Sequence, residues 1–248
     1  QVTGIGHLSP GLSTIDYRLT TPLMTPPGEE DIYPEYPIYL DTYCAYTPPQ
    51  DSPPIVPAPC QQNGFLTFGF LGRFSKTSED LLALWASILR DVPGSHLLLK
   101  FSQLDDPTVW QNIKQTFSAF GITEDRLILL GKTDQRAHLE AHNLVDIVFD
   151  TFPHGGGITT LDSLWMGVPV IGQVNPKKAG GRMIESICQP LGLADCATQS
   201  ATEYHAVALH WATRIEELSR LRQGLRARFS NVYSRFHKDV EKSYRLIW

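Results

Sequence analysis

Residues 146–167 constrain the fold of this chain more than any other stretch. The apolar run at residues 147–149 predicts a short buried strand. Residues 152–157 contain a proline and three glycines, so they cannot continue that strand. The sequence therefore predicts a buried strand that ends abruptly in a glycine-rich loop.

A helix is predicted to follow this loop. Thr159 or Thr160 can cap it, and Asp162 is expected in its first turn. Gly167 ends the helix, and residues 168–171 begin another strand. Such a loop lets backbone N–H groups approach an anion, and the helix N-terminus adds positive partial charge. The segment is therefore predicted to bind an anion, with phosphate as the expected ligand.

The composition is that of a globular protein and narrows the function classes. The chain has 248 residues, of which 42% are hydrophobic and 19% charged, enough for one large domain with a core. A net charge of −5 without a basic cluster argues against nucleic acid as a partner. Scattered cysteines without a CxxC pair favour a cytoplasmic location and argue against zinc. No apolar run is long enough to span a membrane, so no membrane partner is expected.

Residues 1–62 differ from the rest of the chain in composition and in predicted secondary structure. They hold most of the 18 prolines, and Pro-Pro pairs exclude long helices. Only residues 15–19 and 38–40 predict brief strands. So short a segment has little core of its own. We expect a Pro-rich N-terminal extension that connects to the main domain along its surface.

From residue 64 onward, apolar runs alternate with helical patterns. Strands are predicted at residues 65–68, 96–101, 127–130, 147–149 and 168–171. Thr133 is expected to cap one of the intervening helices, and the region after residue 202 is expected to be mostly helical. This alternation predicts an α/β fold: a Rossmann-like parallel sheet with helices on both faces. Ligands of such sheets bind at the carboxyl ends of the strands.

Several segments together resemble one known family. These are the glycine–threonine motif after residue 154, the loop at residues 68–76 and the opening segment at residues 11–18. They resemble the tetratricopeptide-linked O-N-acetylglucosamine transferases, and residues 43–49 are similar to the plant Spindly branch of that family. The resemblance covers most of the chain. It implies a GT-B arrangement, in which two Rossmann-like lobes follow a helical repeat array.

The resemblance also implies a domain organisation and a function. Residues 1–62 would be the remainder of the first catalytic lobe and a linker, residues 63–232 the nucleotide-sugar-binding lobe, and residues 233–248 a C-terminal helix. The chain would be the donor-binding half of an inverting glycosyltransferase that moves a sugar from UDP to protein Ser or Thr. N-acetylglucosamine is the expected sugar. No cofactor or metal is expected, because the UDP-sugar is a substrate and the chain has no DxD motif.

The first residue is Gln rather than Met, so we expect the chain to be part of a longer protein. By resemblance, the missing N-terminal lobe and repeat region would be partners, together with a protein acceptor. A GT-B transferase reacts between its lobes. The 248-residue chain alone is therefore expected to bind a nucleotide without transferring a sugar.

Lys76 falls where the family has the lysine that contacts the donor diphosphate. A preorganised ammonium there would stabilise the charge that the departing nucleoside diphosphate gains. The plain alternative is a solvated lysine beside a helix N-terminus, where a cation is slightly unfavourable. Arg73 falls where relatives carry Gln or Asn, so it is expected to offer a second phosphate contact.

The remaining site residues also follow from the resemblance. Gly156, Gly157 and Thr159 align with the diphosphate-binding loop, and Asp162 with the acid that accepts hydrogen bonds from the ribose hydroxyls. A carboxylate suits a vicinal diol because it can accept two such bonds. The alternative role of Asp162 is to complement the helix dipole. His138 matches a histidine that lies against uracil and ribose, the alternative being a surface histidine.

The sequence departs from the family pattern at several positions. Ile158 replaces a common threonine and removes one hydroxyl donor to phosphate. Gln135 replaces a lysine near the base, and His154 and Gly157 differ from the animal enzymes. These changes bear on the identity of the donor, which stays open among N-acetylglucosamine, glucose and fucose. Arg182 matches an arginine that is as readily structural as functional.

Rival functions find less support in the sequence. Residues 154–157 read HGGG, as in a lipase oxyanion loop, but no GxSxG nucleophile motif exists. Residues 131–133 read GKT, as at the end of a Walker A motif, but Arg126 stands in place of its first glycine. His138 and His142 have the spacing of a zinc pair but lack the HExxH glutamate. The serious alternative is a catalytically silent nucleotide-sugar-binding or scaffold module within a repeat protein.

Overall fold

The computed structural model describes residues 1–3, 9–42, 46–177 and 180–248. Two parallel sheets organise these residues. The smaller sheet has the order β1-β2-β3, with β1 at Val2–Thr3, β2 at Tyr17–Thr20 and β3 at Tyr36–Tyr39. The larger sheet has six strands, namely β4 at Thr67–Leu71, β5 at His96–Lys100, β6 at Leu127–Leu130, β7 at Ile147–Phe149, β8 at Val170–Gln173 and β9 at Ala197–Thr198.

The larger sheet has the order β6-β5-β4-β7-β8-β9, and its strands pair in parallel. The chain moves outward from β4 to β6 and then returns to add β7 on the other side of β4. The point between β4 and β7 is therefore the topological switch point of a doubly wound sheet. Ligands of such sheets bind in the crevice outside the carboxyl ends of the strands at this point.

Nine α-helices accompany the strands in the described parts of the chain. Their bounds are Cys60–Asn63 (α1), Glu79–Asp91 (α2), Pro107–Ala119 (α3), Gln135–Glu140 (α4), Ile158–Trp165 (α5), Met183–Cys188 (α6), Ala201–Ala212 (α7), Ile215–Tyr233 (α8) and Phe236–Ile247 (α9). Within these described residues, no helix combines the length and apolarity needed to cross a lipid bilayer.

The central strands are buried on both faces. In β5, Leu97 and Leu99 belong to one core, whereas Leu98 between them belongs to the other. This follows from the alternation of side chains along a strand. The first core contains residues of α2, α3 and α7, and the second contains residues of α5, α6 and α8. The predicted α/β fold, with helices on both faces of a parallel sheet, is confirmed.

The first strand of this sheet ends later than predicted. A strand at residues 65–68 is expected because Gly69 suggests a loop, but β4 continues to residue 71. The physical reason is tight packing: a Cβ at Gly69 would lie 2.6 Å from Cγ1 of Val145. The glycine therefore permits close approach of neighbouring segments within the sheet rather than breaking the strand.

Two predicted helix caps are wrong. α5 already begins at Ile158, with Gly157 as its N-cap and no side-chain cap, so Asp162 lies in the second turn. α4 is capped by Asp134 rather than Thr133, because the Asp134 carboxylate accepts a hydrogen bond from the Ala137 N–H at 2.8 Å. Serine, threonine and aspartate all cap well, so the sequence alone does not distinguish adjacent candidates.

The N-terminal region has three strands, whereas two were predicted. The strand that was not predicted is β1, which has only two residues and therefore no periodic pattern in its sequence. The region also contacts the larger unit, by which we mean the larger sheet and the helices packed on it. Thr21 Oγ1 lies 3.2 Å from Ser186 Oγ, and Arg182 donates to Glu29 at 3.1 Å. The proposed domain boundaries stay predictions. Of the Spindly-like segment at residues 43–49, residues 43–45 lie outside the described residues.

Residues 51–60, the linker, are fastened to the larger unit by side-chain-to-backbone hydrogen bonds. Arg222 of α8 is 1% exposed and donates to the Val56 carbonyl at 2.8 Å. The same guanidinium donates to the carbonyls of Val145 at 2.8 Å and His142 at 3.1 Å. Asp146 accepts from the Cys60 N–H at 3.0 Å. A segment that is too proline-rich to form regular structure is thus held by groups belonging to the sheet and α8.

Gly167 and Gly224 provide a matched pair that tests this packing. Gly167 has φ +79°, and a Cβ there would lie 2.7 Å from the Arg222 carbonyl oxygen. We expect Gly167→Ala to lower the free energy of unfolding by about 1–3 kcal/mol. Gly224 lies inside α8 with open space around it, so Gly224→Ala should raise that free energy by about 0.5–1 kcal/mol.

Urea denaturation of both variants is the measurement. Because both changes add one methyl group, their difference isolates the backbone conformation and the contact at residue 167. Equal effects at the two positions would contradict this account of the turn after α5.

Candidate functional site

A buried carboxylate shapes the glycine loop at the switch point. Asp150 follows β7, is 5% exposed and accepts hydrogen bonds from the N–H groups of Thr151 at 2.7 Å and Gly156 at 2.8 Å. The Thr160 hydroxyl lies 3.4 Å away as a further donor. Burial raises the pKa of Asp150, and these donors oppose the shift. The loop therefore folds back onto the strand from which it came.

This arrangement requires a glycine at residue 156. A Cβ there would lie 2.5 Å from Thr160 Oγ1 and 3.2 Å from an Asp150 carboxylate oxygen. No role for Asp150 is predicted from the sequence. The available signal was its place directly after a buried strand at the sheet edge where ligands bind.

Lys76 joins this loop to the neighbouring strand. It ends a 3₁₀ turn at Phe74–Lys76, which follows β4. Its ammonium donates to the Gly155 carbonyl at 2.9 Å. Burial lowers the pKa of Lys76 from its usual 10.5, whereas the nearby Asp150 carboxylate raises it and Arg73 lowers it. The contact brings a positive charge across the switch point to the glycine loop.

Six of the predicted site residues line one cleft of about 230 Å³ between these two loops. They are Arg73, Lys76, Gly156, Gly157, Ile158 and Thr159. The cleft lies at the N-terminus of α5, where first-turn N–H groups have no acceptor within the helix. These N–H groups and the two cationic side chains suit an anion of the size of a diphosphate.

Ile158 departs from the family pattern without closing this cleft. It is the first residue of α5 and its side chain is 57% exposed. Its backbone N–H remains available, although the side chain offers no hydroxyl. The loss of a threonine at this position therefore removes one donor and keeps another.

A second cleft of about 320 Å³ adjoins the first, since Gly72, Arg73 and Thr159 line both. Its wall contains Gln135 and His138 of α4. Burial lowers the pKa of His138 below its usual 6.5, and the charge of Lys100 lowers it further. At neutral pH the His138 side chain is therefore an uncharged flat ring, suitable for contact with a nucleobase.

Sequence analysis also missed Lys100, which lines this second cleft. It ends β5, is 4% exposed and donates to the Gly131 carbonyl at 2.7 Å. Burial lowers the pKa of its ammonium, and the nearby Asp105 carboxylate opposes that shift. A lysine that follows three leucines and ends the strand at the ligand-binding edge was the available signal.

Asp162 is the one predicted site residue that lines neither cleft. Its carboxylate accepts a hydrogen bond from the Tyr46 hydroxyl, and burial raises its pKa while that hydrogen bond lowers it. Asp162 follows Thr159 by three residues in α5. It therefore lies about one helical turn beyond Thr159, the residue that lines both clefts. The structure thus places Asp162 next to the clefts and gives it a partner that sequence analysis did not foresee.

Two other residues that could take part in chemistry, Arg182 and His142, line neither cleft and instead contact other protein groups. Arg182 bonds Glu29, as described above, and His142 is fully buried beside His138, with ring centroids 5.4 Å apart. Across the described ranges, no group of three or more His, Cys, Asp or Glu side chains is placed to share a metal ion.

Comparison with known proteins identifies the family. The model of glycosyl transferase family 41 matches residues 64–237. The probable UDP-N-acetylglucosamine–peptide N-acetylglucosaminyltransferase SPINDLY of Solanum lycopersicum is 34% identical over 262 residues, covering 100% of this chain. The protein of the same name from Arabidopsis thaliana is 33% identical over 258 residues, again covering 100% of this chain. The chain spans only 27% and 28% of the lengths of these two relatives.

Solved structures agree with this assignment. A mutant of the Thermobaculum terrenum O-GlcNAc transferase superposes with a TM-score of 0.90 and 31% identity, over 100% of this chain and 48% of that one. Sucrose-phosphate synthase from Thermosynechococcus elongatus has a TM-score of 0.64 at 15% identity over 95% of this chain and 59% of that one, a likeness of fold alone. These neighbours are GT-B glycosyltransferases, as the sequence resemblance implied. From the family match and the whole-chain identity to the SPINDLY proteins, the chain belongs to glycosyl transferase family 41.

Proposed function

We propose that the chain is the donor-binding half of an inverting, metal-independent glycosyltransferase that moves N-acetylglucosamine from UDP to a protein Ser or Thr. Family membership supports the reaction class. The names of the SPINDLY relatives support the donor and the peptide acceptor. Because the chain spans 27% of the first relative's length, the activity of the whole protein is part of the proposal. We place the reaction in the cytoplasm, in keeping with the scattered cysteines.

The contact of Lys76 with the glycine loop is the observation that carries this proposal. The Lys76 ammonium lies at the wall of the cleft formed by the loop and the N-terminus of α5. An ammonium has three N–H donors, and the Gly155 carbonyl accepts one of them. The other two remain to contact a diphosphate in the cleft. Cationic and N–H donors converge there from two separate elements.

The proposed chemistry uses these donors on the leaving group. When the acceptor hydroxyl attacks the anomeric carbon from the face opposite UDP, its proton passes to the deprotonating environment, which lies partly on the first lobe. The bond between the sugar and the diphosphate oxygen breaks, and negative charge develops on the diphosphate. Donors that are already in place stabilise this charge without reorganisation. Lys76, Arg73 and the N–H groups of α5 would supply the stabilisation that a metal gives in other transferases. This is the basis for proposing that no metal is required.

The nucleoside is assigned to the second cleft. With a diphosphate at the α5 N-terminus, the base would reach the adjoining cleft, whose wall contains Gln135 and His138. The uncharged His138 ring would contact the flat face of uracil. Gln135 would offer the base both a donor and an acceptor. The ribose would then lie near Thr159, the residue common to both clefts.

The alternative function is a catalytically silent module that binds nucleotide-sugars or serves as a scaffold. It uses the same clefts, so donor binding supports both functions. The two functions differ only in turnover by the full-length parent protein.

Titration with UDP tests the donor site. We expect calorimetry to detect saturable binding by the folded chain, with affinity changed by no more than about twofold when Mg²⁺ is added, because protein groups compensate the diphosphate charge. No binding in either condition would contradict the proposed donor site. Binding that depends on Mg²⁺ would contradict metal independence alone.

Lys76→Ala tests the catalytic role of the ammonium. In the full-length parent we expect the variant to lose about 2–4 kcal/mol of transition-state stabilisation, or roughly 30- to 1000-fold in kcat. The melting temperature should change little. Lys114→Ala is the matched control, because Lys114 bonds Glu124 on the surface and lines neither cleft. Unchanged kcat in Lys76→Ala would limit Lys76 to its structural contact with the Gly155 carbonyl, and a parent with no turnover at all would favour the silent module.

The chain alone is expected to bind donor without transferring sugar. In a GT-B enzyme the acceptor and its deprotonating environment lie partly on the first lobe, and this chain spans 27% of its first relative. A transfer assay with a peptide acceptor should therefore detect product with the full-length parent and none with the 248-residue chain. Efficient transfer by the chain alone would show that its catalytic groups have been misplaced.

A further inference from the structure

Tyr46 connects the region before the linker to the functional site. Its hydroxyl donates a hydrogen bond to Oδ1 of Asp162 in α5. Its ring packs edge-on against Phe229 of α8, with centroids 5.4 Å apart and planes at 75°. Burial raises the pKa of Tyr46, and the Asp162 carboxylate raises it further, so the hydroxyl stays protonated and able to donate. The side chain is held by two separate helices.

The chain beyond Tyr46 is also fixed to the same helices. Ser52 Oγ accepts from the Trp165 indole N–H at 2.9 Å, and Arg226 donates to the Pro53 carbonyl at 2.9 Å. The Arg226 guanidinium lies over the Trp165 ring, 4.7 Å from its centroid. Because these contacts anchor the residues that follow, Tyr46 keeps its position relative to α5.

Asp162 has one oxygen engaged and one available. Among the described residues, only the Tyr46 hydroxyl donates to the carboxylate, and it does so to Oδ1. The residue is half-buried. Because residues three apart share a helix face, Asp162 lies on the face of α5 that carries Thr159, the residue common to both clefts.

We propose that Tyr46 is a positioning residue for ribose recognition: by holding Oδ1 of Asp162, it orients Oδ2 to accept a hydrogen bond from one ribose hydroxyl. This inference rests on the proposed donor site. It adds that the segment preceding the larger sheet contributes to donor selectivity without touching the nucleotide. A carboxylate that is free to rotate would lose side-chain entropy on binding, whereas one held by Tyr46 is already ordered.

Deoxynucleotides separate positioning from simple stability. We expect the wild-type chain to bind UDP about tenfold or more tightly than 2′-deoxy-UDP or 3′-deoxy-UDP, whichever lacks the recognised hydroxyl, because a hydrogen bond to a charged group is lost. Tyr46→Phe should weaken UDP while leaving the sensitive deoxynucleotide nearly unchanged, so that the ratio falls about threefold or more. Asp162→Ala should bring the ratio close to one.

Tyr233→Phe is the matched control. It also removes a buried tyrosine hydroxyl, here one that donates to the Ile187 carbonyl at 3.0 Å, and Tyr233 packs on the same Phe229 ring. We expect its UDP to deoxy-UDP ratio to equal that of the wild type. Calorimetry with the three nucleotides on the four proteins is the full experiment.

The outcomes are distinct. If Tyr46→Phe weakens all three nucleotides equally, Tyr46 only stabilises the fold and the inference is overturned. If the ratio rises instead, Tyr46 competes with the ribose for Asp162, which also overturns it. Failure of the wild-type chain to bind UDP overturns the proposed donor site together with this inference, and is readily told apart from UDP binding with an unchanged ratio.

Discussion

The hydrogen bonds that Asp150 accepts from its own loop are the interaction on which the candidate site depends. A carboxylate as buried as this one is costly unless donors surround it. The loop N–H groups and the Thr160 hydroxyl supply those donors, and the Tyr204 hydroxyl also donates to the Asp150 backbone carbonyl at 3.2 Å. Opening the loop would leave the carboxylate buried with fewer partners. The loop conformation is thus set before any ligand arrives.

Asp150 also leaves the helix N-terminus open to a ligand. It takes N–H donors from Thr151 and Gly156, which precede α5, and only a side-chain hydroxyl from Thr160 within it. The backbone donors of the first helical turn are therefore not consumed. A protein carboxylate and an incoming anion can share one short segment because they use different donors from it.

The sequence predicts the parts of this fold that local signals encode. Apolar runs of strand length, glycine loops and amphipathic helices are local, and they suffice to predict the α/β sheet and the glycine-rich loop after β7. The resemblance then predicts which side chains gather, and Arg73, Lys76 and His138 all reach the two clefts. These residues follow strand ends or lie in the helix beside them, so topology alone brings them together.

What the sequence could not supply depends on contacts between distant segments. The bond between Tyr46 and Asp162 joins residues 116 positions apart, and no periodicity predicts it. Gly69 looks like a loop residue until its neighbour Val145 is known. The cap of α4 was misassigned by one residue because Thr133 and Asp134 are both good capping residues. The first two depend on tertiary packing, whereas the cap is a local choice between two adjacent residues of similar preference.

The exposed side chain of Ile158 has a consequence for the solvent in the smaller cleft. Ile158 is 57% exposed and gives the wall of the cleft at the α5 N-terminus a hydrocarbon surface. A ligand that fills the cleft would remove this apolar surface and its hydration water together. In the drier space that results, the remaining backbone and ammonium donors would act on the ligand through a lower local dielectric. An isoleucine in place of a hydroxyl side chain would thus exchange one hydrogen bond for stronger electrostatics in those that remain.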